Sequence, residues 1–231
     1  MLQQTQVERV IPYYTRWLVH FPTITSLADA PLKDVLLLWQ GLGYNRRAKM
    51  LHEAAKTVVK THGGTMPRTL EALLALPGVG NYTARAVLAF ACNTDCVFVE
   101  TNIRTVVTHH FYTNDEVVSD AEILRILEEA LPKGESRAWY SALMDYGAHL
   151  KRAGVRINNR SKHYTKQSAF QGSDREVRGM ILRALTSDTK TLAVLVREIG
   201  ATRRIQIQTQ LQALQKEGLI TARGRSYGLP E

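Results

Sequence analysis

Leu76-Pro77-Gly78-Val79-Gly80 lies between two helical stretches and is the first place in this chain where residue type and spacing suggest chemistry. Pro77 stops the first helix, and the two glycines can take backbone conformations closed to other residues. The helix that opens at Asn81 then offers first-turn amides, aimed outward by a glycine turn, as an anion site. In a chain rich in basic residues the natural anion is a DNA phosphate, and such a contact holds the backbone without reading sequence. On spacing alone an ordinary αα-hairpin in a helical core fits equally well. The second feature is Glu100, a carboxylate beside the apolar run Val97-Phe98-Val99. By itself it also reads as a helix cap or half of an ion pair. His109 and His110 are adjacent, and on a helix adjacent residues point about 100° apart, which argues against a shared metal.

The elements that must hold these groups are mostly helices. Leu70, Leu73 and Leu74 give the spacing of a buried helical face, and Asn81 to Ala91 forms the partner helix. Ahead of them, Val7 to Phe21 is amphipathic, with Pro12 tolerable only near a turn or kink. Thr25-Ser26 caps a short helix, and Pro31 to Gln40 forms another whose Val35, Leu36, Leu38 and Trp39 are core. Gly41-Leu42-Gly43-Tyr44 breaks the pattern. Asn45, Arg46, Arg47 and Lys49 follow at a helix start as solvated or phosphate-facing groups, and Ala48 to His62 ends at Gly63-Gly64. Beyond the hairpin come helices at Thr101 to Tyr112, Ser119 to Leu131 and Glu135 to Arg152, the second with a Ser cap and an acidic first turn.

The charge is uneven. The chain of 231 residues carries +9 overall, of which residues 1–152 hold +1 and residues 153–231 hold +8. Such a balance favours a polyanionic partner, with grip concentrated in the second part. No apolar run approaches the roughly 20 residues of a membrane span, and no signal peptide is visible. Two cysteines, Cys92 and Cys96, are too few for a disulfide framework and are expected reduced in a cytoplasmic, nucleoid-associated protein.

LPGVGNYTA resembles the helix-hairpin-helix of the endonuclease III superfamily of DNA glycosylases, whose signature is L-P-G-[VI]-G-x-x-T-A. MLQQTQVERV at residues 1–10 and GLGYNRRAKMLHEAA from Gly41 resemble the adenine-mispair branch of that superfamily. The three motifs occur in the right order, and the similarity spans roughly residues 1–150. In that branch MLQQTQV follows another helix and a glutamate that acts as general acid on adenine. This sequence begins at the motif, so that helix and that glutamate are expected either to lie upstream of this start or to be dispensed with.

The resemblance assigns roles. Gln3 and Gln4 match glutamines that probe the space left by an extruded base. Leu76, Gly78, Val79, Gly80 and Thr83 would form the phosphate-holding hairpin, and Tyr44 and Asn102 the base pocket. Glu100 stands where family members carry an essential aspartate in V-D-x-[HN]-[IV]-x-R, and Asn102, Ile103 and Arg104 match the continuation. Breaking an N-glycosidic bond builds positive charge on the sugar, which a fixed carboxylate stabilises. Tyr82 occupies the position of the lysine that bifunctional relatives use as a Schiff-base nucleophile. Tyrosine cannot form that adduct, so a monofunctional enzyme is expected. Iron–sulfur relatives continue with a four-cysteine loop. The stretch from Lys151 to Gly172 contains no cysteine, so no such cluster is expected. No other cofactor is implied beyond a monovalent cation at the hairpin backbone.

The expected architecture is mainly α: a helix-hairpin-helix glycosylase domain at residues 1–152, a basic connector at 153–172, and a small C-terminal winged-helix (α+β) domain at 173–231. In the connector Arg156, Arg160, Lys162 and Lys166 alternate with Tyr164 and Phe170, a composition suited to a phosphate backbone. Helices at Arg175 to Leu185, Leu192 to Ile199 and Arg203 to Glu217 precede a hairpin of Leu219 to Ala222 and Ser226 to Leu229. The third helix would be the recognition helix, with Arg203, Arg204 and its glutamines at 206, 208, 210, 212 and 215 on base edges or phosphates and Arg223 and Arg225 on the wing; winged helices also mediate protein contacts, and the +8 charge favours DNA. The partner is double-stranded DNA with a mispaired or damaged base, met by a monomer that flips the base into a pocket near Tyr44, Tyr82 and Glu100. The competing class is a non-catalytic, lesion-sensing DNA-binding protein derived from such an enzyme.

Overall fold

The computed structural model describes residues 1–3, 5–112, 117–155, 157 and 169–230. The chain divides into two compact units, Met1–Met66 with Ser168–Glu231, and Pro67–Gln167. This grouping cuts across a division by motif at residue 152.

The first unit opens with α1 (Val7–His20), α2 (Ile24–Asp29), α3 (Leu32–Trp39) and α4 (Arg46–His62). Helix α1 runs straight through Pro12, whose ring removes the N–H that would have bonded to the Glu8 carbonyl. Trp17 meets Phe21 and Trp39 edge-on at 5.0 and 5.6 Å. Helix α2 starts earlier than expected. Thr23 caps it by accepting the Ser26 amide at 3.0 Å, and Ser26 returns the bond to the Thr23 amide at 3.1 Å. Helix α4 also starts early, at Arg46, and ends on Gly63 in the left-handed region.

Helix α10 (Asp174–Ala184), strand β1 (Lys190–Thr191), α11 (Leu192–Ile199), α12 (Arg204–Lys216), β2 (Thr221–Arg223) and β3 (Ser226–Gly228) complete this unit. The three strands form an antiparallel sheet ordered β1-β3-β2, with Tyr227 opposite both Lys190 and Ala222. Three helices and a wing give the expected α+β arrangement. Two details differ from expectation. Strand β1 is a third strand only two residues long, and Leu219 and Ile220 are buried in the core instead of opening β2. The grouping of the two ends of the chain has a physical basis. Val10, Trp17, Val35 and Trp39 share one apolar cluster with Val177, Ile181, Leu195, Ile207, Leu211 and Leu214. Lys49 of α4 adds a bond to the Glu217 carbonyl just past α12, at 2.7 Å.

The second unit holds α5 (Leu70–Leu74), α6 (Asn81–Cys92), α7 (Thr101–Phe111), α8 (Asp120–Ala130) and α9 (Ser136–Arg152). Its core joins Ala89, Phe98, Ile103, Val107, Ile123, Leu127 and Tyr140. Burying one such large side chain is worth about 1.5–3 kcal/mol. The chain is thus mainly helical, with a small α+β region at its C-terminal end. Among the described residues no helix is long and apolar enough to cross a membrane.

Candidate active site and nucleic-acid interface

The hairpin forms as its residues require. Thr69 caps α5 by accepting the Ala72 amide at 3.3 Å, and the Val79 amide closes a turn on the Leu76 carbonyl at 3.1 Å. Gly78 sits at φ +74°, a conformation L side chains rarely adopt. Leu76 is buried and anchors the turn, Val79 is half-buried, and Gly78 and Gly80 are exposed. Gly80 is the N-cap of α6 and carries no capping side chain. The first-turn amides of α6 therefore lack the side-chain acceptor that a Ser or Asp would supply there. Thr83 is half-buried one turn in.

The segment from Asn93 to Glu100 has no regular structure, so its position depends on what grips it. Asn93 ends α6 in the left-handed conformation, and its amide bonds the Gly134 carbonyl and the Arg137 amide at 2.7 and 2.9 Å. Asp95 accepts from the Gly134 amide and the Ser136 hydroxyl, each at 2.9 Å. Phe98 stacks on Tyr140 at 4.2 Å. The Tyr140 hydroxyl donates to the Cys96 carbonyl at 3.0 Å, and burial pushes its phenol up to about 12. Cys92 and Cys96 are free thiols, and burial pushes that of Cys96 up.

This segment delivers Glu100 to the head of α7. There its carboxylate accepts the Asn102 amide at 2.5 Å, a helix N-cap bond. Glu100 therefore does cap a helix, as its residue type alone suggested. Tyr82, 37% exposed in the first turn of α6, meets Phe98 edge-on at 5.8 Å. Burial pushes its phenol up, and the Glu100 charge pushes the same way. Asn102 accepts Lys151 Nζ from α9 at 2.6 Å, and Arg104 pairs with Asp120 at 2.6 Å.

Of the residues predicted from sequence, Tyr82, Glu100 and Asn102 come together in the second unit. Tyr44 belongs to the first. It is 40% exposed at φ +49°, accepts Arg175 through its hydroxyl at 3.4 Å, and lies under the Arg47 guanidinium at 5.6 Å. Gln3 is exposed and Arg46 is exposed at the head of α4. Gln4 in the N-terminal motif, and Arg156, Arg160, Lys162, Tyr164 and Lys166 in the basic connector, lie outside the described residues.

Several basic and polar groups do not face solvent as expected. Arg47 is half-buried over Trp39 at 5.2 Å and donates to the Gln3 carbonyl at 2.8 Å, so it ties the N-terminal motif to α4. Lys49 is occupied by Glu217, as described above. Arg203 donates to Glu176 at 2.8 Å, which makes it a strut between α10 and the start of α12. Gln210 is buried at 6% exposure and cannot touch a base edge. Gln206 bonds Asp174 at 2.7 Å. Arg204, Arg223 and Arg225 are exposed on the helix and wing. By sequence, Met144-Asp145-Tyr146-Gly147 resembles the family's last barrel helix, a likeness that gives no role to Gly147 or Lys151. Their i, i+4 spacing puts them on one face of α9, which is the only signal that could have found them.

Known proteins are similar to this chain in sequence and in fold. Residues 1–133 match the family described as HhH-GPD superfamily base excision DNA repair protein. The adenine DNA glycosylase of Mycolicibacterium smegmatis is 34% identical over 244 aligned positions, which cover 97% of this chain and 83% of that protein. The adenine DNA glycosylase of Buchnera aphidicola subsp. Baizongia pistaciae is 36% identical over 64% of this chain and 42% of its own length. Among solved structures, a thermostable thymine-DNA glycosylase superposes with a TM-score of 0.55 at 27% identity, over 64% of this chain and 69% of its own.

Proposed function

The chain belongs to the HhH-GPD superfamily of base excision DNA repair proteins, and from that premise we propose how this DNA glycosylase works. It hydrolyses the N-glycosidic bond of a mispaired or damaged base flipped from double-stranded DNA, with adenine favoured, and leaves the strand uncut. The observation that carries this reading is the placement of Glu100 at the head of α7, held by the Asn102 amide, with Tyr82 against Phe98 two residues before it, within the segment that matches the family.

The roles follow from charge and position. As the bond between sugar and base breaks, the sugar becomes cationic, and Glu100 stabilises it through space. Tyr82 keeps its proton and presents a neutral hydroxyl. Asn102 lines the pocket beside the carboxylate that its backbone amide holds. The α6 amides behind Gly78 and Gly80 hold a phosphate. Adenine is favoured because the N-terminal motif, Tyr82 and the adenine glycosylase relatives point to it.

A base-release assay over a panel of mispaired and damaged duplexes tests this function. Adenine should be released from at least one mispair, and borohydride should trap no covalent protein–DNA adduct, because no lysine stands at residue 82. Strands should stay intact until alkali is added. No release from any duplex would make the chain a non-catalytic DNA-binding protein. A trapped adduct would overturn the monofunctional assignment.

Grip is proposed for Arg46, Arg204, Arg223, Arg225 and the connector. Arg204, Arg223 and Arg225 changed together to Ser should weaken duplex binding for every sequence. The slope of log affinity against log salt should shrink by about one for each phosphate no longer neutralised. Single-turnover release at saturating protein should change little. An unchanged slope would assign the winged helix to docking another protein. Arg203 is left in place because its loss takes an ion pair from Glu176 and with it the strut between α10 and α12.

A further inference from the structure

Lys151 lies in the last turn of α9, outside every motif that the glycosylase reading uses. Its Nζ donates to the Asn102 side-chain oxygen at 2.6 Å. An ammonium donates only, so this bond sets the amide oxygen toward Lys151, and the Asn102 NH2 donates to Met144 Sδ, also on α9, at 4.0 Å. The Asn102 backbone amide in turn holds Glu100 at 2.5 Å. Gly147, one turn earlier on α9, permits this approach. A Cβ there would collide with the Asn102 carbonyl oxygen, and would lie within 2.7 Å of its carbonyl carbon and Cβ.

We infer that Lys151 is a positioning residue for base excision: by holding the Asn102 side chain its ammonium ties the head of α7 to α9, and the Asn102 backbone amide at that head places the Glu100 carboxylate. The inference rests on the proposed role of Glu100. Among the described residues, groups of the second unit bear on the ammonium. Glu100 favours its charged form, Arg104 disfavours it, and Asn102 accepts its hydrogen bond. Burial dominates and holds the amine below the ordinary lysine range. The sign of the pH effect follows. The donor is present below the shifted value and is lost as pH rises through it.

The test is a double-mutant cycle in the full chain with Lys151→Met, Asn102→Ala and the double variant, read by single-turnover release on an adenine mispair. Lys151→Met should slow release about tenfold with little change in duplex affinity, and the double variant should be no slower than Asn102→Ala alone. Wild-type release should fall on an alkaline limb. Lys151→Arg should restore the rate and move that limb to higher pH, because guanidinium stays charged. The amide resonances of Asn102, backbone and side chain, should move in Lys151→Met, a readout that needs no activity. Unmoved resonances, or rate losses that multiply in the double variant, would overturn the inference. Moved resonances in a protein that releases no base would overturn the catalytic reading while leaving the Lys151–Asn102 bond in place.

Discussion

Glu100→Gln should leave duplex affinity nearly intact and slow base release about a hundredfold or more. The substitution isolates charge from structure. Gln keeps a side-chain oxygen able to accept the Asn102 amide, so the cap of α7 survives. What disappears is the negative charge facing the cationic sugar, a contribution often worth about 3–4 kcal/mol, and each 1.36 kcal/mol is a factor of about ten in rate. Saturating protein and single-turnover conditions separate this effect from binding. A thermal melt close to that of the wild type would confirm that the cap holds. Equal release rates for the two proteins would return Glu100 to the role of a helix cap and nothing more.

Local rules made the turn and the helices around the candidate site legible in the sequence, whereas the roles of Glu100, Tyr82 and Asn102 came from the family resemblance. Pro77 and the glycines could build little other than a turn, and the apolar run before Glu100 had to enter the core, where Phe98 stacks on Tyr140. The three C-terminal helices announced themselves through periodicity and through Ser and Gly boundaries. What stayed hidden depended on partners far away in the chain. Strand β1 has two residues and no alternation to read, and exists because Tyr227 pairs with Lys190. Arg203, Lys49 and Arg47 look alike as basic surface residues. Each is spent inside the fold, on Glu176, the Glu217 carbonyl and the Gln3 carbonyl. Gln210 shares its helix with exposed glutamines at 208 and 212, and only the turn of α12 puts it inward. The core shared by α1–α4 and α10–α12 was equally invisible, since an amphipathic face does not name the face that covers it. Removing residues 153–231 would therefore uncover that core, which is why the grip is tested by surface substitutions.

Gly147→Ala should cost both stability and rate, and the rate more. In the middle of an exposed helix this change stabilises, by about 1 kcal/mol. Here α9 lies against the head of α7, and the new methyl would meet the Asn102 backbone, which cannot rotate away as a flexible side chain would. Overpacking of this kind typically costs about 1–3 kcal/mol, so the melting temperature should fall despite the gain in helix propensity. Relief requires α9 and α7 to part, and that motion draws Lys151 from Asn102 and displaces the amide that holds Glu100. A displacement of about 1 Å at a catalytic group can cost a hundredfold. Gly147→Ala should therefore approach the slowing caused by Glu100→Gln while affinity for undamaged duplex stays within a few fold. Comparing single-turnover rates well below the melting temperature of the variant separates misplacement from unfolding. A variant that melts higher than the wild type and releases base at its rate would show that the close approach of α9 to Asn102 plays no part in placing the carboxylate.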